Sequence, residues 1–220
     1  MPSTRVLDDI ELIIEDIGGG GGNRPPAGGD GGDGDKRRQP GPPSPRRYYT
    51  AIALAIVSIL MFFMALASAY IIRRASNDWV PVHLPAVLWL NTLALLASSG
   101  TMELARRRLA TGDVKNFRAL WRVTTGLGFL FLLGQIVAWR QLVLEGVYVS
   151  TNPASSFFYI FTAAHGLHLL GGIGALLYVL LRAFEKTRLS HATAAEVTSY
   201  YWHFMDGLWV FLLALLYLGN

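Results

Sequence analysis

Five apolar stretches occupy most of the chain after residue 48, and they leave it little choice of fold. They run over 50–72, 85–104, 123–139 with an extension to 144, 156–181 and 197–218. Each is long enough to cross a bilayer core of about 30 Å. Lipid offers backbone amides no hydrogen-bond partner, so segments of this length satisfy their own amides as helices. No strand-like alternation competes with that reading. The expectation is an all-α integral membrane bundle of five transmembrane helices within a domain spanning 48–220.

The first 47 residues have the opposite character. Gly18 to Gly22 form an uninterrupted glycine run, and Pro25, Pro26, Pro40, Pro42, Pro43 and Pro45 follow among Gly, Asp and basic residues. Such a segment buries too little apolar area to offset its ordering entropy, and it reads as a disordered cytoplasmic tether. Within it, Val6, Ile10, Ile13, Ile14 and Ile17 recur at helical spacing among Asp8, Asp9, Glu11, Glu15 and Asp16. Segment 6–17 is either a short acidic amphipathic helix that docks on a partner subunit or simply a disordered acidic end.

Basic residues set the expected orientation. Lys36, Arg37, Arg38, Arg46 and Arg47 precede the first span; Arg106, Arg107, Arg108, Lys115, Arg118 and Arg122 surround the second connection; Arg182, Lys186 and Arg188 lie in the fourth. The other connections hold only Arg73, Arg74 and Arg140. The positive-inside bias places the N-terminus in the cytoplasm and Asn220 outside. The net charge of +4 is thus a topology signal and not a nucleic-acid footprint. Residues 1–20 lack the apolar core of a signal peptide, so the first span is expected to direct insertion. Cysteine is absent, which excludes disulfides, iron–sulfur clusters and thiolate copper centres in this chain. A redox metal here would rest on histidine.

Ionisable residues inside apolar spans are costly and mark function or assembly. His203 and Asp206, three residues apart, share a face of the last span. His165 and His168 lie one turn apart in the fourth, near mid-bilayer. Antiparallel neighbours are expected to bring the two pairs together. Three roles are open: ligands for haem or another metal, interhelical hydrogen bonds that lock the bundle, or contacts to lipid headgroups and a proton path. The spacing and the lack of a second acidic cluster speak against a di-iron site. Glu103, with Arg106 and Arg107 at i+3 and i+4, is read as an interfacial ion pair, with proton uptake as the alternative. Asn91 and Gln135 are expected to form interhelical amide bonds. Gly171 with Ala175, and Gly126, Gly128, Gly134, Gly166, Gly172 and Gly174, are expected to permit close helix approach.

The run Y-Y-W-H-F-M-D-G-L-W at 200–209 resembles the Y-W-H-F-x-D-x-x-W segment of the last helix of subunit III of the haem-copper oxidases. L-P-A-V-L-W-L-N-T-L-A-L-L-A-S-S-G-T from Leu84 is similar to that family's fourth helix, G-F-L-F-L-L-G-Q from Gly128 to its fifth, and F-F-Y-I-F-T-A-A-H-G-L-H-L-L-G-G from Phe157 to its sixth. The resemblance spans about 50–218 and is to the five-helix bacterial form, which lacks two N-terminal helices. Two positions depart from it: Ile59 and Ala138 stand where many members carry glutamates, which weakens a carboxylate-based proton-antenna role.

What the resemblance implies is a noncatalytic core subunit of a cytochrome c oxidase in the bacterial plasma membrane. Such a chain holds no cofactor; haem and copper belong to partner subunits I and II. It binds phospholipid and supports subunit I while the complex reduces O2 to water and builds a proton gradient. His165, His168, His203 and Asp206 become lipid-binding or bundle-locking residues, and Glu103 and Arg106 become interface or proton-side residues. Two alternatives remain: an accessory subunit of a nitric oxide reductase or quinol oxidase, and a stand-alone membrane metalloenzyme ligated by His165, His168 and His203. A transporter would need inverted repeats or interrupted helices, which the sequence lacks.

Overall fold

The computed structural model describes residues 45–182 and 188–219, which form five helices and no strand among them. These are α1 (Pro45–Arg74), α2 (Val87–Ala110), α3 (Val114–Leu144), α4 (Pro153–Arg182) and α5 (Arg188–Leu218). The head and its acidic segment 6–17 lie outside the described residues.

Every helix overruns its apolar stretch on at least one side because helical hydrogen bonding continues into the polar margin. The ends are set by local chemistry. At the end of α2, Gly112 takes φ 78°, and the amides of Gly112 and Asp113 close on the carbonyls of Leu109 and Arg108. This paired closure stops the helix. Gly146, also at φ 78°, ends α3 in the same way, with Val147 bonded to Leu142. Asp113 caps α3 by accepting from the Asn116 amide at 3.2 Å. Asn152 and Ser155 cap α4 reciprocally around Pro153, with Ser155 N donating to Asn152 Oδ1 at 2.8 Å.

Four helices, α1, α3, α4 and α5, are long and apolar enough to cross a membrane. α2 falls short, and its composition explains why. Asn91, Thr92 and Ser98 dilute its hydropathy, yet all three are buried, while Trp89, Leu90, Leu93, Leu96 and Leu104 are exposed. The helix turns these polar groups inward among Leu88, Leu95, Met102 and Ala105. Its 24 residues would still reach about 36 Å.

Helices α2, α3, α4 and α5 pack in sequence, and α5 returns to α2, closing a four-helix ring. α1 packs outside it on α4 and α5. The interior is filled by Trp121, Trp202, Trp209, Phe131, Phe158 and Phe161. Close approach falls on fewer small residues than expected. A Cβ on Gly128 would sit 2.7 Å from Trp202 Cη2, and one on Gly134 would overlap the Asn91 amide. Gly126 and Gly174 have open space instead. The Gly171–Ala175 pair is not a tight interface either, since Gly171 is exposed and its nearest neighbour is a tyrosine hydroxyl 3.9 Å away.

Candidate functional site: the polar interior of the bundle

The ring is fastened by indoles. On α5, Trp202 Nε1 donates to Ser98 Oγ at 2.9 Å and Trp209 Nε1 donates to Thr92 Oγ1 at 3.0 Å. Each hydroxyl in turn donates to its own helix backbone, Ser98 to the Leu95 carbonyl and Thr92 to the Leu88 carbonyl. A buried hydroxyl that gives its proton to the helix keeps its lone pairs for a partner, so all four polar groups are satisfied. Between α3 and α4, Trp121 donates to the Leu176 carbonyl at 2.9 Å and Trp139 to Thr162 Oγ1 at 3.0 Å. Thr101 and Thr124 link α2 to α3 at 2.8 Å. None of these locks was read from sequence, although Trp202 and Trp209 stand two helical turns apart opposite Ser98 and Thr92. That spacing was the available signal.

The expected meeting of His165 and His168 with His203 and Asp206 does not form a single cluster. His165 is fully buried between Phe131 and Trp209, at centroid distances of 5.8 and 5.1 Å, and neither ring nitrogen has a hydrogen-bond partner among the described residues. His168, one turn on, points the other way. Its Nδ1 contacts the Ala164 carbonyl at 2.7 Å, and its ring lies 5.6 Å from Phe63 and 6.2 Å from Phe62 of α1. A step of three residues turns about 300° around a helix, enough for the two rings to serve different neighbours. His203 instead bonds Ser99 Oγ of α2 through Nδ1 at 2.5 Å. Asp206, one turn further along α5, is buried, and neither carboxyl oxygen has a hydrogen-bond partner among the described residues. Among the described residues no three His, Cys, Asp or Glu side chains gather as a metal-ligating group.

Other expectations divide. Glu103 pairs with Arg106 at 3.3 Å and Arg107 at 3.0 Å, the i+3 and i+4 partners its spacing predicts. Among the described residues, Asn91 and Gln135 make no interhelical amide bond. The Asn91 amide packs over Gly134, and the Gln135 amide is buried without a hydrogen-bond partner among the described residues. Ile59 packs against the core and Ala138 is fully buried within it, so apolar side chains fill both departing positions.

Outside the spans, two carboxyls are held below their ordinary range. Asn116 hydrogen bonds do this for Asp113, side chain first and backbone amide second. For Asp78 the Ser76 hydroxyl leads, followed by the Arg73 guanidinium, whose Nη2 lies 2.6 Å from the carboxylate.

A ring of long apolar helices with its polar groups turned inward defines a multi-pass membrane protein of the helical-bundle class. Residues 48–220 match the family model described as cytochrome c oxidase subunit III. The chain is similar to the probable cytochrome c oxidase subunit 3 of Nocardia farcinica, 38% identical over 164 residues, which cover 72% of this chain and 81% of that protein. It is also similar to the cytochrome c oxidase subunit 3 of Corynebacterium diphtheriae, 35% identical over 167 residues with the same two shares. A third relative, from Synechocystis, is 31% identical over 175 residues, 76% of this chain and 73% of that one. The chain therefore belongs to the cytochrome c oxidase subunit III family, whose members are components of a multi-subunit respiratory oxidase.

Proposed function

We propose that this chain is a noncatalytic scaffold of an aerobic terminal oxidase, fed by cytochrome c, that reduces O2 to water and builds a proton gradient. Subunit I, carrying haem and copper, and subunit II, carrying copper, are its partners; phospholipid fills part of the contact. All five helices cross a bacterial plasma membrane, with the arginine-rich α2–α3 turn and the N-terminal head in the cytoplasm and the C-terminus outside. His165 and His168 serve as packing and lipid-side residues, His203 and Asp206 as polar contacts of the α2–α5 seam, and Glu103 and Arg106 as interfacial groups.

The observation that carries this reading is how the interior is used. The largest buried side chains are aromatic, and the indole N–H groups of Trp121, Trp202 and Trp209 are spent on joining helices. That is the construction of a rigid support, with lipid-facing surface left on α1 at Leu54, Leu60, Met61, Met64 and Ile72.

The test is to tag the chain, solubilise the membrane in mild detergent and identify what travels with it. A haem-bearing subunit I and a copper-bearing subunit II are expected. Deleting the chain should slow or destabilise the oxidase while its haem spectrum persists. Stoichiometric metal on the isolated polypeptide would instead favour the metalloenzyme alternative.

A further inference from the structure

Beside the Trp209 lock, the ring carries a polar layer that no tryptophan serves. Direct contacts fix its register. A Cβ on Gly128 of α3 would lie 3.4 Å from Ile173 Cγ1 of α4, and Trp139 bonds Thr162 at 3.0 Å. Antiparallel helices pinned at both pairs bring Gln135 opposite Gly166, beside His165. Asn91 of α2 packs its amide over Gly134, the residue before Gln135. The layer closes at Trp209 of α5, whose indole bonds Thr92, the neighbour of Asn91, and whose ring lies 5.1 Å from that of His165.

These side chains converge on the middle of the ring. Phe131, one turn before Gln135 on the same face of α3, lies 5.8 Å from the His165 ring and 4.8 Å from the Trp209 ring, so that face looks inward. Asn91, Gln135 and His165 are 4%, 3% and 0% exposed. Asn91 Nδ2, both amide atoms of Gln135 and both ring nitrogens of His165 have no hydrogen-bond partner among the described residues. One turn outward the ring is shut by Leu88, Phe161 and Leu212, and one turn inward by Leu95, Phe131 and Leu169, none more than 1% exposed.

We propose that this layer is a binding site for water, in which a linked pair of ordered molecules bridges α2, α3 and α4 through Asn91, Gln135 and His165. A polar group left dry in the interior costs free energy, and neither lipid nor helical backbone has a partner to offer it at this depth. Polar side chains that face one another beyond direct hydrogen-bond range are joined by water in many interiors. The apolar layers on either side exclude lipid, and no three metal-ligating side chains gather among the described residues. Gly166 leaves room opposite Gln135, since a Cβ there would meet nothing nearer than Leu132 Cδ2 at 4.0 Å.

The hydrogen bonds balance. The layer presents three donor nitrogens, Asn91 Nδ2, Gln135 Nε2 and the N–H nitrogen of the imidazole, with Gln135 Oε1 and the bare imidazole nitrogen as acceptors. A single water, with two lone pairs and two protons, leaves one donor over. A linked pair keeps three of each after bonding to itself, enough for every atom of the layer. Water thus joins three helices at the level where Trp209 joins α5 to α2.

The test uses the full-length chain in lipid nanodiscs with whatever subunits co-purify, and it stands apart from the oxidase assignment. A cryo-electron-microscopy map fine enough to show ordered water should hold a pair of peaks at this level, each within about 3.2 Å of Asn91, Gln135 or His165. Thermal unfolding of the same preparation gives a second measure. Gln135→Leu strands the water among fewer partners and should lower the midpoint by a few degrees. Asn91→Leu, Gln135→Leu and His165→Phe combined remove every polar partner and fill the layer, so the midpoint should return to the unaltered value or above. If the triple variant fails to assemble, the map and Gln135→Leu decide. The proposal is overturned if the three side chains are clearly resolved without peaks between them, if they bond directly to one another, or if Gln135→Leu leaves the midpoint unchanged or raises it.

Discussion

Trp202 of α5 donates its indole N–H to Ser98 of α2 at 2.9 Å, while its ring edge lies 2.7 Å from where a Cβ on Gly128 of α3 would be. One side chain thus sets both the α2–α5 contact and the approach of α3. Lipid provides no hydrophobic drive between helices, so association rests on such packing and hydrogen bonds.

Trp202→Phe keeps an aromatic ring, smaller than the indole, and removes the donor. A loss of about 0.6 kcal/mol is expected, the average for an interhelical hydrogen bond in a membrane bundle. A double-mutant cycle with Ser98→Ala in reversible detergent unfolding measures it. Additive single effects would mean the pair is uncoupled. Trp202→Ala, which empties the centre, should cost about 3–5 kcal/mol.

Gly128→Ala forces the Trp202 ring to shift and should destabilise by about 1–3 kcal/mol, whereas Gly126→Ala meets open space two residues away. The same unfolding assay compares them. Equal effects at both positions would show that the close approach at Gly128 is not real.

Gly146→Ala places a Cβ on a residue at φ 78° and should destabilise the end of α3 by more than about 1 kcal/mol. Gly146→Asn, which tolerates that backbone, should recover part of the loss. Amide exchange of Val143 to Val147 reports the fraying directly.

Asp113 gives a pH signature. Its carboxyl is held below the ordinary range by Asn116, so it binds its proton less readily folded than unfolded. The stabilisation is therefore fully present above the unfolded pKa and is lost as pH falls through the lower folded one. Protection of the first-turn amides of α3, taken as the exchange rate relative to the intrinsic rate at each pH, should fall on acidification. In Asp113→Ala that protection should already be low near neutrality and should not change with pH over that range. A variant that kept the acid dependence would move its origin to another group.

Much of the fold can be read from the chain, and the exceptions share a cause. α1, α3, α4 and α5 declare themselves because length and apolar content are local properties. α2, read from its apolar stretch 85–104, is muted in hydropathy because Asn91, Thr92 and Ser98 lie within it; that all three face inward belongs to the bundle. The i+3 and i+4 pairs of Glu103 follow from helical spacing alone. The histidines do not: His165 and His168 share a turn in sequence, yet one meets Trp209 of α5 and the other Phe62 and Phe63 of α1.

The amino-acid order by itself determined that this is an all-helical membrane chain with the motifs of its family, because lipid demands closed backbone hydrogen bonding within each long apolar segment. Only the tertiary structure decided which polar groups meet. That outcome depends on the rotation and vertical register of each helix against its neighbours, which packing at Gly128, Trp202 and Trp209 sets and which no single segment encodes.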